Sequence, residues 1–225
     1  MSKIRKAIEL FKAGRPILIH DSASREDEVD IVFYAGYVTP ETIYLMRTLG
    51  GGLICYVTSR KIAEVLGLPY MADILSNIPG LRNLAMKKLR YGDAPAFSIW
   101  VNYVGVRTGI SDSDRALTIS KLHEVVKEVF KGNKETAKEM FLKNFQAPGH
   151  VPILVGRSLK VRKGHTELSL ALAKLAKLLP STVIVEMLDK GISLCVSKAA
   201  KIAESLRTVL IEGNELIEAL GDLDV

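Results

Sequence analysis

Residues 166–188, TELSLALAKLAKLLPSTVIVEML, place a helix and a strand side by side. Leu168, Leu172, Leu175 and Leu179 recur at helical spacing, with Lys174 and Lys177 on the outer side, so residues 166–179 read as an amphipathic helix. Pro180 ends it, because proline lacks the amide that a helix interior needs. The β-branched run that follows, STVIVEML, reads as a buried strand. A helix feeding directly into a buried strand calls for a sheet covered by helices.

The same alternation continues in both directions. Upstream, Ile4, Ile8 and Phe11 mark a short helix stopped by Gly14, and PILIH (16–20) reads as a strand. A polar loop, 21–30, leads to a second strand, IVFYAGYV (31–38). Thr39 and Pro40 open a helix as N-cap and first helical residue, and Gly50-Gly51-Gly52 breaks it before the strand LICYVTS (53–59). AFSIWVNYVGV (96–106) alternates with apolar residues on both faces, and a helix over 114–131 follows the capping residues Ser111, Asp112 and Ser113. The very polar stretch 131–143 reads as a surface excursion before the strand HVPILVG (150–156). From Lys198 on come a helix, the strand TVLIEG (208–213) and a closing helix. The expectation is an α+β (mixed α/β) fold, with residues 1–225 forming a single-domain, three-layer sandwich in which helices cover a mixed β-sheet.

Composition narrows the function. At 225 residues, 48% apolar and 25% charged, the chain has the balance of a globular protein. Its net charge of +6 is spread along the chain and suits an acidic small molecule or an RNA equally well. Cys55 and Cys195 make neither a disulfide framework nor a zinc spacing, and each lies in an apolar run where burial is the ordinary expectation. No run is long enough to span a membrane and the N-terminus lacks a signal-peptide core, so a cytoplasmic location is expected.

The polar groups that could do chemistry cluster in four loops next to strands. Residues 21–30, DSASREDEVD, put five carboxylates and Arg25 in ten positions; if extended, Glu26, Glu28 and Asp30 share a face. Packed carboxylates repel unless a cation or a shared proton holds them, and a hard divalent ion is the natural partner. A solvated acidic loop is the plainer alternative. Residues 107–115, RTGISDSDR, could cradle a phosphate on backbone amides or simply cap a helix. Residues 147–150, APGH, hold His150 in a turn before a strand, where a half-buried structural histidine is the ordinary case. Residues 162–167, RKGHTE, combine an Arg fork for phosphate with the positive end of a helix and with His165. Together the four describe a metal-plus-phosphate site.

These motifs, with GGLIC ending at Cys55 and VIVEM around Glu186, occur in the order found in 3,4-dihydroxy-2-butanone 4-phosphate synthases, which the chain resembles over residues 1–212. The resemblance implies conversion of ribulose 5-phosphate to 3,4-dihydroxy-2-butanone 4-phosphate and formate for riboflavin synthesis. It also implies dependence on Mg²⁺, and a homodimer with residues of both subunits around each site. By the same resemblance Glu26 and His165 are the metal ligands. Arg25, Glu26, Asp30, Thr108, Arg162, Lys163, Gly164, His165, Thr166 and Glu186 touch substrate or its metal. His150, Glu186, Asp21, Glu28 and Cys55 fall on catalytic positions. Arg162, Thr166 and the Thr108-Gly109 loop are the phosphate clamp. Mn²⁺ is expected to substitute.

The chain departs from the family at Gln146-Ala147, at Asp27 (Asn or Gly in the family) and Val29, and through 81–95, where little matches. No cyclohydrolase-like second domain follows, so a bifunctional protein is not expected. An RNA-binding protein is the non-enzymatic alternative. It lacks the interleaved aromatic and basic residues of RNA recognition, and its lysines alternate with glutamates. A metal-dependent sugar-phosphate isomerase would use the same kind of site and differ only in releasing no formate.

Overall fold

The structure, a computed structural model, describes residues 2–87, 91–221 and 223–225; positions 88–90 of the divergent span lie outside it. In chain order the elements are α1 (Lys3–Lys12), β1 (Ile17–His20), β2 (Val29–Tyr34), α2 (Pro40–Leu45), β3 (Cys55–Ser59), α3 (Arg60–Leu66), α4 (Met71–Ser76) and α5 (Arg82–Ala85). Then come β4 (Phe97–Tyr103), α6 (Asp112–Phe130), α7 (Lys134–Asn144), β5 (Phe145–Gly156), α8 (His165–Leu175) and β6 (Ser181–Glu186). A small hairpin of β7 (Leu188–Asp189) and β8 (Ile192–Ser193), then α9 (Val196–Ser205), β9 (Leu210–Glu212) and α10 (Gly213–Leu220), complete the fold.

Seven strands form one mixed sheet in the order β4-β5-β3-β6-β2-β1-β9, in which only β1/β9 and β3/β5 run parallel. Successive residues of a strand point to opposite faces, so each strand feeds two cores. Ile31, Tyr56, Val183 and Val185 face a core shared with α2, α3, α6, α7 and α9. Val32, Cys55, Val57 and Ile184 face a second core with α1, α8 and α10. The three-layer α+β fold expected from the sequence is present.

Local differences have local causes. The second strand begins at Val29 and stops at Tyr34; residues 35–37 form a short 3₁₀ turn. The polar stretch 131–143 lies at the surface and is mostly helical: it contains most of α7, which buries Ala137 and Phe141 one turn apart beneath a charged outer face. α8 stops at Leu175 because Lys177 turns left-handed (φ 57°). The amides of Lys177 and Leu178 close on the carbonyls of Lys174 and Ala173, a helix ending usually made with glycine. Cys55 is buried as expected, but Cys195 is exposed just before α9. Among the described residues no helix is long and apolar enough to cross a membrane.

Candidate active site

The acidic segment 21–28 is a tight turn rather than an extended strand, and Asp21 shapes it. The buried Asp21 carboxylate accepts the amides of Glu26 and Glu28, each at 3.1 Å, and pairs with Arg25 Nη1 at 2.9 Å. Asp27 adopts φ 55°, so Glu26 and Glu28 leave the turn in different directions. Glu26 points inward, with Oε2 3.4 Å from His165 Nδ1, while Glu28 accepts from Ser193 Oγ at 2.5 Å. Asp30 is already in β2 and buried, 3.6 Å from the same His165 nitrogen, and its Oδ1 has no hydrogen-bond donor.

The first turn of α8 supplies the histidine. His165 Nε2 lies 3.2 Å from the carbonyls of Ile19 and Glu28, so this nitrogen donates and Nδ1 is turned toward the carboxylates. One ligand atom each from Asp21, Glu26 and His165 lies within 4.8 Å of the others. Burial alone would lower the His165 pKa, but Asp30 and Glu26 outweigh it and raise it to about 9. Glu26 is held below the usual carboxylate range: burial would raise it, and the contacts with His165, Tyr91 and Arg25 reverse that. Burial pushes Asp30 up to about 8; the nearby His165 opposes the shift, and the charges of Glu186, Glu26 and Glu28 add to it.

Glu186 enters from β6, directly opposite Asp30 on β2 in the register of the antiparallel pair. Its Oε2 accepts the amide of Leu53 at 2.7 Å. A Cβ on Gly52 would lie 2.2 Å from that oxygen, which is why a glycine run passes over it. Burial raises the Glu186 pKa and raises the thiol of neighbouring Cys55 well above its ordinary value, leaving Cys55 a neutral thiol beside two acids.

Two guanidiniums flank this cluster. Arg162 donates to Glu167 at 2.6 Å, and that fully buried carboxylate also accepts the amides of Arg157 and Gly164. Arg25 Nη2 and Arg162 Nε are buried with no acceptor. Both groups crowd Gly164, where a Cβ would lie 2.6 Å from Arg162 Nη1 and 2.7 Å from Arg25 Nη2. Glu26, Asp30, Arg162, His165, Thr166 and Glu186 line one cavity of about 200 Å³. Lys163 instead lines a neighbouring recess behind Arg25. A larger cavity of about 460 Å³, beside Lys61, Lys174 and Phe130, contains no such acid–imidazole group.

Tyr91 and Asp93 were not anticipated from the sequence. Tyr91 donates to Glu26 and lies under the Arg25 guanidinium, and Asp93 accepts from Arg25 Nε at 2.9 Å. The available signal was the turn Tyr-Gly-Asp-Ala-Pro just before a strand, in the span that matches the family least.

His150 and Thr108 are elsewhere. His150 lies within β5 rather than in a loop, is exposed, and contacts Asn102, whose amide also donates to the Thr108 carbonyl at 3.3 Å. The amides of Thr108 and Gly109 already donate to Asp114, so they form a helix cap rather than an open cradle. Among the described residues no hydrogen bond or common cavity joins this group to the Glu26 cluster.

The family model for 3,4-dihydroxy-2-butanone 4-phosphate synthase matches residues 5–219. The chain belongs to that family. The synthase of Archaeoglobus fulgidus is 40% identical over 222 residues, covering 95% of this chain and 92% of its own. That of Methanothermobacter thermautotrophicus is 38% identical, with 96% and 95% covered. Among solved structures, the Candida albicans synthase superposes with a TM-score of 0.72 at 26% identity, covering 99% of both chains. The two-domain RibBX of A. baumannii gives 0.77 at 26%, and this chain spans 58% of its length. A synthase crystallised with two magnesium ions gives 0.77 at 24% identity, a likeness of fold alone. This protein is therefore a synthase of riboflavin biosynthesis.

Proposed function

We propose that the protein converts ribulose 5-phosphate to 3,4-dihydroxy-2-butanone 4-phosphate and formate, using a divalent cation held by Glu26 and His165. The observation that carries this reading is a buried acid–imidazole group with an orphaned carboxylate oxygen beside two guanidiniums with orphaned nitrogens. Buried polar atoms without partners are rare in a finished structure, and here they are complementary to a cation and to an anion. Carboxylate oxygens and one imidazole nitrogen suit Mg²⁺, and Mn²⁺ as well. When bound, the cation supplies Lewis-acid stabilisation of the negative charge left when a proton leaves the carbon next to the ketone.

The chain's own groups do the rest. Arg25 and Arg162 turn their free N–H groups toward the phosphate, with Gly164 and Thr166 at the positive end of α8. Lys163 adds charge from the adjacent recess. Glu186, whose pKa burial raises and which faces Asp30 across the β2/β6 pair, is suited to move protons, with Glu28 nearby, Asp21 in the acidic turn and Cys55 as a neutral neighbour. Asp21 also orients Glu26 through the turn.

His150 and Thr108 are proposed to act on the site of the partner in a homodimer. Support comes from their exposure and from the apolar groove of Ile99, Trp100, Pro148 and Met71 beside them, a face suited to a second copy. No nucleic acid or membrane partner is proposed, and the location proposed is cytoplasmic.

The test is formate release from ribulose 5-phosphate with Mg²⁺, repeated with excess chelator. Formate that appears with the ion and is lost without it supports the proposal. Isomerised sugar phosphate without formate would replace it with the isomerase reading.

A further inference from the structure

The proposed chemistry leaves one buried histidine of the same region without a role. His20 ends β1, immediately before the acidic turn, and both its ring nitrogens face carboxylates. Nδ1 lies 2.6 Å from Glu212 Oε2 and Nε2 lies 3.0 Å from Asp27 Oδ1. With a carboxylate on each side, the ring bridges two acids that are 185 residues apart in the chain.

Both partners occupy telling positions. Asp27 has the left-handed backbone (φ 55°) that favours glycine or asparagine, and it separates Glu26 from Glu28. Its conformation therefore sets the angle at which Glu26 leaves for His165 and Glu28 for Ser193. Glu212 stands at the N-terminus of α10, and a Cβ on the next residue, Gly213, would lie only 2.7 Å from the Asp21 carbonyl. The C-terminal β9–α10 segment thus bears directly on the turn.

We infer that His20 is a positioning residue, a clasp that ties Asp27 to Glu212 and holds the turn in the shape that aims Glu26 into the metal cluster. It touches no substrate and acts through Asp27. The part of the inference that concerns metal rests on the reading of Glu26 as a ligand. The clasp itself is specific to this chain's use of Asp27, where glycine or asparagine would need no such restraint.

The test compares wild type, His20→Gln, Glu212→Gln as a milder second variant, and the rescue pair His20→Gln/Asp27→Gly. Two quantities are read: hydrogen exchange of the Glu26 and Glu28 amides, and Mn²⁺ affinity by titration. His20→Gln is expected to speed exchange of both amides and to weaken Mn²⁺ binding about tenfold, the usual scale for losing an outer support of a metal ligand. Glu212→Gln is expected to shift both in the same direction by less. Asp27→Gly in the His20→Gln background is expected to recover most of both losses, because glycine takes the left-handed shape unaided. A general packing role for His20 would not be rescued from position 27. Unchanged exchange in His20→Gln, or a loss that Asp27→Gly leaves in place, overturns the clasp. If the wild type binds no Mn²⁺, the metal reading fails and the exchange comparison still decides the clasp.

Discussion

The strand β6 has a buried polar cluster at each end, and the two are opposites. At the Ser181 end, Ser181 Oγ sits between Tyr56 Oη at 2.8 Å and His123 Nδ1 at 3.0 Å, while Ser169 pairs with Thr182 at 2.9 Å. These groups are neutral and satisfy one another. At the Glu186 end, Glu26, Asp30, His165 and two arginines gather, and three of the five buried unpartnered polar atoms among the described residues lie there. The two histidines record the difference: burial lowers His123 to about 4, whereas neighbouring acids raise His165 to about 9. Burial of polar groups does not mark a site. Burial that the chain's own atoms leave unsatisfied does.

Substitutions at the two ends are expected to separate activity from stability. Glu26→Gln is expected to cost at least about a thousandfold in kcat, the scale of a few kcal/mol for a lost metal ligand, with the melting temperature unchanged or higher. Steady-state kinetics and a thermal melt check both. Tyr56→Phe at the other end is expected to leave kcat unchanged and to cost about 1 kcal/mol, or roughly 2–4 °C. Loss of activity in Tyr56→Phe would collapse the distinction.

His150→Ala is expected to lose about a hundredfold, the scale of a general acid or base, without a change in melting temperature. Unfolding and refolding it together with Glu26→Gln is expected to restore about a quarter of wild-type activity, since half the dimers are mixed and each has one intact site. No recovery would place His150 and Glu26 in the same subunit's site.

Arg162→Ala sharpens the contrast differently. Because Arg162 is the partner of the fully buried Glu167, its removal is expected to cost about 3–5 kcal/mol in stability as well as raising KM. A raised KM with an unchanged melting temperature would mean that Glu167 does not depend on it.

The smallest effect concerns pH. His123 binds its proton more weakly folded than unfolded, so its contribution is intact above about 6.5 and is lost as pH falls toward 4. Melts of His123→Asn over this window are expected to fall less steeply than wild type, by about 1 kcal/mol once the ring's exposure is discounted. Equal slopes would remove His123 from the balance.

Much of this was legible in the sequence because its cause is local. Thr39 and Ser111 cap the helices they precede, and the apolar strands sit where their composition placed them. The acidic and RKGHTE motifs do meet around His165. What was not legible depends on distant contacts. Tyr91 reaches Glu26 across 65 residues, and Asp93 reaches Arg25 across 68. The period-two reading of Glu26, Glu28 and Asp30 failed because Asp27 turns left-handed. Of the two readings open at residues 107–115, the amides of Thr108 and Gly109 show the helix cap, because Asp114 accepts both.

The most direct test of the unsatisfied end is a thermal melt of wild type, Glu26→Gln and Tyr56→Phe with and without Mg²⁺. A ligand bound only by the folded state raises stability by about 2.7 kcal/mol at a hundred times its Kd. Wild type and Tyr56→Phe are expected to gain equally from Mg²⁺, from different starting temperatures, and Glu26→Gln to gain little. An equal gain in Glu26→Gln, or none in wild type, would contradict the assignment of the cation to this cluster.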